Sequence, residues 1–316
     1  PHDRQLWLFV LWLLAIIFIS FSMNARSVLF DVFMLIVLLY VFTFLLGLIE
    51  LDRKFKFTLL ITIIIMVTVK YIFFWKPIKF IDFYGTTPTL FAHRGTPDKI
   101  PENTSSSFGA AIKKGFKAIE VDVCSTLDGQ VVCTHNFDLE RETDGNGFVD
   151  ENNYRDIQNV RTKAKSPKYN MESIPLLIDV TRALPKNILV NIEIKTKNMW
   201  DIGTAVRVAK LIRTGRVIQK VIVSSFNPLV LFIIKMLERK TGTGFLFYKT
   251  NKLWLIQLLH FDCIHPEGGV VTRDIVEKAH KRGQAVNVWT VDSMSGKKWL
   301  EKINVDGIIT NYYSDI

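Results

Sequence analysis

The chain has 316 residues, a hydrophobic content of 49% and a formal net charge of +10 at pH 7. Its three cysteines are too few for a disulfide-rich secreted fold. The basic residues form no dense stripe with interleaved aromatic side chains, so the sequence gives no support to nucleic-acid binding. A basic chain of this kind suits anionic lipid headgroups or phosphate-bearing substrates.

Residues 1–76 are predicted to form a membrane region. Three apolar stretches, at about 6–23, 28–49 and 57–75, each approach the roughly 20 residues that a helix needs to span a bilayer. The flanking lysines and arginines favour a cytoplasmic N-terminus, which predicts a protein of the plasma (inner) membrane with an extracytoplasmic catalytic domain. Residues 77–88 are predicted to be a short linker.

From residue 89 to residue 316, short apolar segments alternate with helical patterns. Eight strands that alternate with helices predict an α/β fold, a parallel (β/α)8 barrel of the TIM type preceded by transmembrane helices. A doubly wound open sheet is the alternative, although the chain contains no glycine-rich nucleotide-binding fingerprint. The polar interval 137–187, with one helix around 176–184, is predicted to be an insertion that shapes the mouth of the site. The predicted strands are 90–93, 117–122, 188–195, 220–225, 243–248, 261–265, 285–290 and 306–310, and the other predicted helices are 105–114, 201–213, 228–240, 252–260, 272–282 and 295–303.

The second predicted strand runs into a hairpin. The Asp-Gly pair at 128–129 separates two β-rich runs and is a strong signal for a two-residue turn. That register places Asp122 opposite His135 and makes Cys124 face Cys133. The two cysteines would then form a disulfide in an oxidising compartment or, as we expect, pack in reduced form.

Charged side chains and histidines collect where the predicted strands end, which is where barrel active sites form. Three carboxylates on two neighbouring strands are suitable oxygen ligands for one hard divalent cation, Mg2+ or Ca2+. Two basic side chains can neutralise a phosphate, and two histidines can act as acid and base near neutral pH. This combination suits displacement at a phosphodiester. The candidates are Glu120, Asp122 and Glu193 for the metal, Arg94 and Lys195 for the phosphate, and His93 and His135 for catalysis.

Seven motifs carry a family resemblance: His93-Arg94-Gly95, Pro101-Glu102-Asn103-Thr104, Glu120-x-Asp122, Asp128-Gly129 with His135, Glu193-x-Lys195, Trp289-Thr290-Val291 and Asp306-Gly307-Ile308-Ile309-Thr310. Together they resemble the glycerophosphodiester phosphodiesterase family over roughly residues 89–314. The resemblance implies a TIM-type barrel that hydrolyses glycerophosphodiesters to glycerol 3-phosphate and an alcohol. It also implies the same metal, phosphate and acid–base roles for the candidates above. Asn136 and Asn311 stand where the family often has Asp, and we expect them to affect specificity rather than catalysis.

Four further residues are weaker candidates for lining the substrate: Trp289, Glu102, His265 and Glu267. Trp289 could instead belong to the barrel core, and His265 and Glu267 could instead form a structural pair. Asn103 could hold the corner after the first strand or cap the helix that follows it.

The sequence therefore predicts metal-dependent hydrolysis of glycerophosphodiesters at the lipid bilayer, without nucleic acid and without an obligate protein partner. One alternative is a lysophospholipase D, or a hydrolase of envelope glycerophosphate polymers, that uses the same site. A second alternative is a non-catalytic membrane protein that binds phospholipid headgroups, although a binding site alone needs no pair of acid–base histidines.

Overall fold

The alternating pattern after residue 88 closes into a barrel in the computed structural model, which describes residues 61, 77–78, 84, 88–96, 100–163, 171–252, 256 and 260–313. The strands are β1 (Thr89–Ala92), β2 (Ala118–Ser125), β3 (Val131–Cys133), β4 (Leu189–Ile194), β5 (Lys220–Ser225), β6 (Gly242–Phe247), β7 (Cys263–Pro266), β8 (Ala285–Val288) and β9 (Gly307–Thr310). The α-helices are α1 (Ser105–Lys113), α2 (Tyr154–Ile157), α3 (Leu177–Ala183), α4 (Gly203–Arg213), α5 (Pro228–Leu237), α6 (Arg273–Lys281) and α7 (Met294–Lys302).

The predicted (β/α)8 barrel is confirmed. Strands β1, β2 and β4–β9 pair in parallel, and β1 bonds to both β2 and β9, which closes the ring and excludes the open sheet. The insertion helix predicted around 176–184 is α3. The helix predicted over 252–260 lies largely outside the described residues, of which Ile256 is helical.

The chain divides into two compact units, Pro1–Lys76 and Pro77–Ile316. The three predicted membrane-spanning segments lie in the first unit, where the structure describes Ile61 alone, so they fall outside the described residues. Among the described residues, no helix is both long and apolar enough to cross a bilayer.

Strand β2 shows why the barrel carries its charges inside. Ile119, Val121 and Val123 belong to the large apolar cluster that also includes helix residues. The alternate residues point the other way. Ala118 therefore packs with barrel-lining residues of other strands. Glu120 and Asp122 follow it on the same face, so both are buried although they are charged.

The predicted hairpin register is wrong by one residue. Val123 pairs with Cys133 and Cys124 with Val132, around a three-residue loop at 127–129. Thr126 holds that loop with its backbone and its hydroxyl group, which accepts a hydrogen bond from the backbone N–H of residue 130 at 2.9 Å. Residue 129 is a glycine at φ +82°, the left-handed position that ends loops of this length.

The one-residue shift separates the two hairpin cysteines. Cys124 packs in a small cluster with residues of the insertion, whereas Cys133 packs in the large apolar cluster. Both are free and buried, as is Cys263, so the expectation of reduced, packed cysteines is confirmed. Asp122 now lies opposite Thr134, whose backbone N–H donates to the carbonyl oxygen of Asp122 at 3.1 Å.

The insertion forms a small layer of its own against the hairpin. In its described parts, 137–163 and 171–187, short bridges and turns replace long elements. Leu139, Val149, Ile157 and Ile174 bury themselves against the hairpin, which fixes the insertion beside the C-terminal end of β2.

Candidate active site

The first corner of the site follows β1. Arg94 and Gly95 take left-handed backbone conformations, with φ of 54° and 88°. A side chain at position 95 would meet the Ser107 hydroxyl oxygen at 2.1 Å, so both the backbone angle and the space require glycine. The turn directs the Arg94 backbone N–H to Oε2 of Glu120 at 2.9 Å, and the Arg94 carbonyl oxygen accepts from the Ser107 hydroxyl at 2.9 Å.

Asn103 holds the corner to the second strand. Its Nδ2 donates to Oδ2 of Asp122 at 3.0 Å, and its Oδ1 accepts from the Asp122 backbone N–H at 3.1 Å. The cap of α1 is Thr104, whose hydroxyl accepts from the backbone N–H of Ser107 at 3.2 Å. Asn103 therefore holds the corner after β1, and a different residue, Thr104, caps the helix that follows.

The three predicted metal ligands lie together. Asp122 and Glu193 are partners in the register between β2 and β4, and Glu120 lies one inward position below Asp122. One carboxylate oxygen from each lies within 4.8 Å of the others, and all three residues are buried. Burial, followed by the charges of Asp122 and Glu193, raises the pKa of Glu120 well above its usual value.

Two cations bracket Asp122. Lys195 Nζ lies 2.9 Å from Oδ1 of Asp122 and also contacts Glu193, while Arg94 Nε lies 3.0 Å from Oδ2 of Asp122. Burial alone would raise the pKa of Asp122, but Lys195 and Arg94 outweigh it and hold the pKa below its usual range. The other face of Arg94 is bound to Glu102, with Nη1 2.5 Å from Oε1.

The acidic group fits a hard divalent cation. Oε1 of Glu120 is buried and accepts no hydrogen bond from the described residues. An orphaned carboxylate oxygen of this kind is rare in a folded protein and indicates a missing partner. With three carboxylates converging on one point, oxygen-preferring ions such as Mg2+ or Ca2+ fit the donor set.

Each predicted catalytic histidine is held by an asparagine. His93 Nδ1 lies 2.8 Å from Oδ1 of Asn311, and His135 Nδ1 lies 3.1 Å from Oδ1 of Asn136. An amide oxygen only accepts, so Nδ1 of each neutral imidazole carries the proton and Nε2 keeps its lone pair. Both asparagines therefore contact the predicted catalytic histidines directly, and the expectation that they affect specificity rather than catalysis stays a prediction.

A carboxylate fixes each of these asparagines in turn. Nδ2 of Asn311 donates to Asp292 at 2.8 Å, and Nδ2 of Asn136 donates to Glu142 at 2.6 Å. Sequence reasoning missed both acids. Glu142 lies in the polar insertion, and the nearest signal for Asp292 is its place two residues after Thr290 in the Trp-Thr-Val motif.

Burial depresses the basicity of both histidines. Burial and the nearby charge of Arg94 lower the pKa of His93, and burial lowers the pKa of His135 to about 4 against the opposing charge of Asp122. Burial and the adjacent Glu102 raise the pKa of Glu142 to about 7. Both imidazoles are therefore neutral at neutral pH.

Comparison with known proteins places this geometry in a family. The model of the glycerophosphoryl diester phosphodiesterase family matches residues 93–314. This chain belongs to that family. A glycerophosphodiester phosphodiesterase of Caldanaerobacter subterraneus is 33% identical over 227 residues, which cover 70% of this chain and 93% of the relative. A probable glycerophosphodiester phosphodiesterase 2 of Mycobacterium tuberculosis is 32% identical over 243 residues, covering 70% and 86%.

Solved structures share the fold of this family member. An Oleispira antarctica phosphodiesterase, solved in complex with the product sn-glycerol-3-phosphate, matches with a TM-score of 0.67 and 23% identity over 73% of this chain and 95% of that one. A glycerophosphodiester phosphodiesterase from Agrobacterium tumefaciens matches with a TM-score of 0.62 and 22% identity, covering 71% and 96%. At these identities the likeness establishes the barrel alone.

The four weaker candidates for lining the substrate lie in different environments in this phosphodiesterase-family chain. Glu102 lies in the site through its contact with Arg94. Trp289 is half-buried, and its ring stands edge-on to Phe226 with centroids 5.5 Å apart. The expectation that His265 lines the mouth is wrong: it is fully buried inside the barrel, where Asn287 Nδ2 lies 3.0 Å from its Nε2.

Glu267 has a turn-forming role in the structure. Its carboxylate accepts a hydrogen bond from the backbone N–H of Gly269 at 2.8 Å, which holds the turn after β7. Sequence position alone placed it at the correct end of the barrel, but its side chain bends back to its own loop.

An open cavity of about 330 Å³ adjoins the site between the insertion and the barrel. His135 and Lys195 lie on its catalytic side, and Phe137, Phe148 and Phe226 form apolar parts of its wall. No sequence pattern singled out these phenylalanines, because Phe137 and Phe148 lie in the insertion, Phe226 follows β5, and only the fold brings the two segments together.

Proposed function

We propose that this protein hydrolyses glycerophosphodiesters to glycerol 3-phosphate and an alcohol, with one divalent cation, Mg2+ or Ca2+, at the plasma (inner) membrane. The observation that carries the proposal is the buried group of Glu120, Asp122 and Glu193, in which Oε1 of Glu120 accepts no hydrogen bond from the described residues and two cations contact Asp122. The family to which the chain belongs supports the reaction, and the three apolar N-terminal stretches support the membrane location and the extracytoplasmic catalytic domain.

Arg94 and Lys195 hold the phosphodiester in this proposal. Both are largely buried and stay charged, because the neighbouring carboxylates raise their pKa values against the effect of burial. When bound, a divalent cation held by the three carboxylates polarises the phosphoryl group as a Lewis acid. The guanidinium of Arg94 can make two parallel hydrogen bonds to phosphate oxygens, whereas Lys195 acts as a point charge.

The two histidines carry the protons. With Nδ1–H bound to an asparagine, Nε2 of each neutral ring is the atom that accepts a proton. One histidine deprotonates the attacking group, and the other protonates the leaving alkoxide. The attacking group is either water or the glycerol 2-hydroxyl of the substrate, which would form a cyclic phosphate first. Trapping a cyclic product would distinguish the two routes.

Alanine substitutions of the histidines test the assignment. His93→Ala and His135→Ala should each lower kcat by about two to four orders of magnitude, the usual worth of a positioned acid or base. The assay is release of glycerol 3-phosphate from glycerophosphocholine by the purified full chain. Near-normal turnover by both variants would refute the catalytic roles.

One observation favours a lysophospholipase D activity as a second candidate. The apolar wall of the adjoining cavity, built from Phe137, Phe148 and Phe226, offers contact to the acyl chain of a lysophospholipid. The same rings also suit the quaternary ammonium of choline, which needs no acyl chain. Rates measured in parallel on glycerophosphocholine and lysophosphatidylcholine separate the two.

A further inference from the structure

The end of the barrel opposite the active site is basic. Loops that lead from a helix back into a strand gather there, because all eight barrel strands run in the same direction. Five of these loops each present an exposed cation. We call these five residues the basic face: Lys117, Lys186, Arg216, Lys240 and Arg282.

None of the five makes an ion pair with the residues that the structure describes. Two acids in the same set of loops are engaged elsewhere. Asp262 is buried 3.4 Å from Lys235 Nζ, and Asp306 lies 2.8 Å from His280 Nε2. The one other acidic residue in the described parts of these loops is Glu238, and it is half-buried.

Helix dipoles account for other cations at this end but not for the basic face. The last turns of α1, α4, α6 and α7 carry Lys113, Arg213, Lys281 and Lys302, where a positive charge is favoured by the helix carbonyl groups. The residues of the basic face lie beyond the helix ends. Their positive field therefore points outward to solvent and is available to a large anionic partner.

The chain enters the barrel unit at this same end. Pro77 packs against the loop of Arg282, where a side-chain carbon at Gly283 would lie 3.1 Å from Cγ of Pro77. The backbone N–H of Ile78 donates to Asp262 Oδ1 at 2.9 Å. In the sequence, the predicted membrane-spanning stretch 57–75 ends two residues before Pro77.

From this juxtaposition we infer that the basic face contacts the anionic phospholipid headgroups of the bilayer that holds residues 57–75. Clusters of lysine and arginine next to a membrane-spanning segment bind such headgroups by charge. The active site lies at the other end of the strands and faces the aqueous phase. If the proposed function holds, the substrate class is then the water-soluble, deacylated glycerophosphodiesters rather than lysophospholipids of the same leaflet.

The test uses the full chain in vesicles and reads lipid contact rather than catalysis. A fluorophore is attached at Asn187→Cys, in the exposed loop beside Lys186, and quenched by lipids that carry a spin label on the headgroup. The three native cysteines are buried and do not compete for the label. The control position is Ser295→Cys, exposed in the first turn of α7 at the catalytic end.

Charge reversal then identifies the surface. Arg216→Glu with Arg282→Glu removes two members of the basic face, and Lys249→Glu with Arg273→Glu makes the same charge change at the catalytic end. Each lysine or arginine near an anionic leaflet is worth about a fivefold change in association. The ratio of docked to undocked barrel should therefore fall at least about 25-fold in the first pair and hold within about threefold in the second.

The expected result is strong quenching at position 187 in vesicles containing phosphatidylglycerol, weak quenching in pure phosphatidylcholine, and loss of the difference in high salt. Position 295 should stay unquenched in both. Equal quenching at 187 in the two lipids would overturn the inference, as would equal effects of the two charge reversals. A response at 187 to added RNA but not to phosphatidylglycerol would overturn it as well.

Discussion

Asn103 connects the corner after β1 to the central carboxylate, and its replacement gives a measurable loss. Asn103→Ala removes one hydrogen bond to a carboxylate, worth about 1.5–3 kcal/mol, and one to a backbone N–H, worth about 0.5–1.5 kcal/mol. Position 103 also has φ of +57°, where alanine adds roughly 1–2 kcal/mol of backbone cost. We therefore expect the free energy of unfolding to fall by roughly 3–6.5 kcal/mol.

Two matched variants separate the backbone cost from the hydrogen bonds. Asn103→Gly removes the same bonds but takes the left-handed conformation without strain, so its loss should be roughly 2–4.5 kcal/mol. Asn304 also lies at positive φ, +60°, but is exposed. Asn304→Ala should therefore show the backbone cost alone.

Urea denaturation of the full chain in detergent micelles measures these differences, and turnover measures the effect on Asp122. With Asp122 still held by Arg94 and Lys195, kcat should fall about 10- to 100-fold rather than vanish. If Asn103→Ala costs no more stability than Asn304→Ala, the bonds to Asp122 contribute nothing and the reasoning is refuted.

Two further predictions concern hydrogen-bond partners of histidines. Glu142→Ala should lower kcat about 10- to 100-fold with KM little changed, because the Asn136 amide could then flip and no longer fix the tautomer of His135. Glu142→Gln keeps an acceptor for Asn136, so its kcat should stay near normal. Equal losses of kcat in both variants would contradict this positioning role. At the other end of the barrel, the hydrogen bond that His280 donates to Asp306 raises the pKa of His280 above 6.5. That pair should stabilise the fold below about pH 6.5 and lose this effect as pH rises through the folded-state pKa, by at most about 0.5 kcal/mol because it is partly exposed. Urea midpoints at about pH 5.5 and about pH 8.5 should therefore differ less in His280→Gln than in the native chain, and an unchanged difference would contradict the pairing.

The barrel could be predicted from the sequence because its signals are local. Short apolar strands and helices alternate along the chain, and the carboxylates of β2 alternate with the residues Ile119, Val121 and Val123 that pack outward. Parallel strands bring their C-terminal ends to one edge, so the meeting of Asp122 with Glu193 follows from the fold class itself.

The hairpin register could not be predicted because one side chain decides it. The Asp-Gly pair favours a two-residue turn, but the Thr126 hydroxyl bonds to the backbone of residue 130 and stabilises a three-residue loop. A shift of one residue exchanges the two faces of a strand. That is why Cys124 and Cys133 lie on opposite sides.

The positioning of the histidines required the tertiary structure. Asn311 reaches His93 across the closing seam between β1 and β9, and Glu142 reaches Asn136 from the insertion. Sequence spacing relates neither pair, so their contacts could be found only once the barrel was closed. The apolar stretches of residues 1–76 lie outside the described residues, apart from Ile61, and stay a prediction.

The central claim is that Glu120, Asp122 and Glu193 hold a divalent cation that the reaction needs. The direct test is the rate of glycerol 3-phosphate release from glycerophosphocholine by the full chain, before and after chelation and after return of Mg2+ or Ca2+, with Glu193→Gln as the site control. The claim predicts reversible loss of activity on chelation and loss of metal rescue in Glu193→Gln. Full turnover in excess chelator would contradict it.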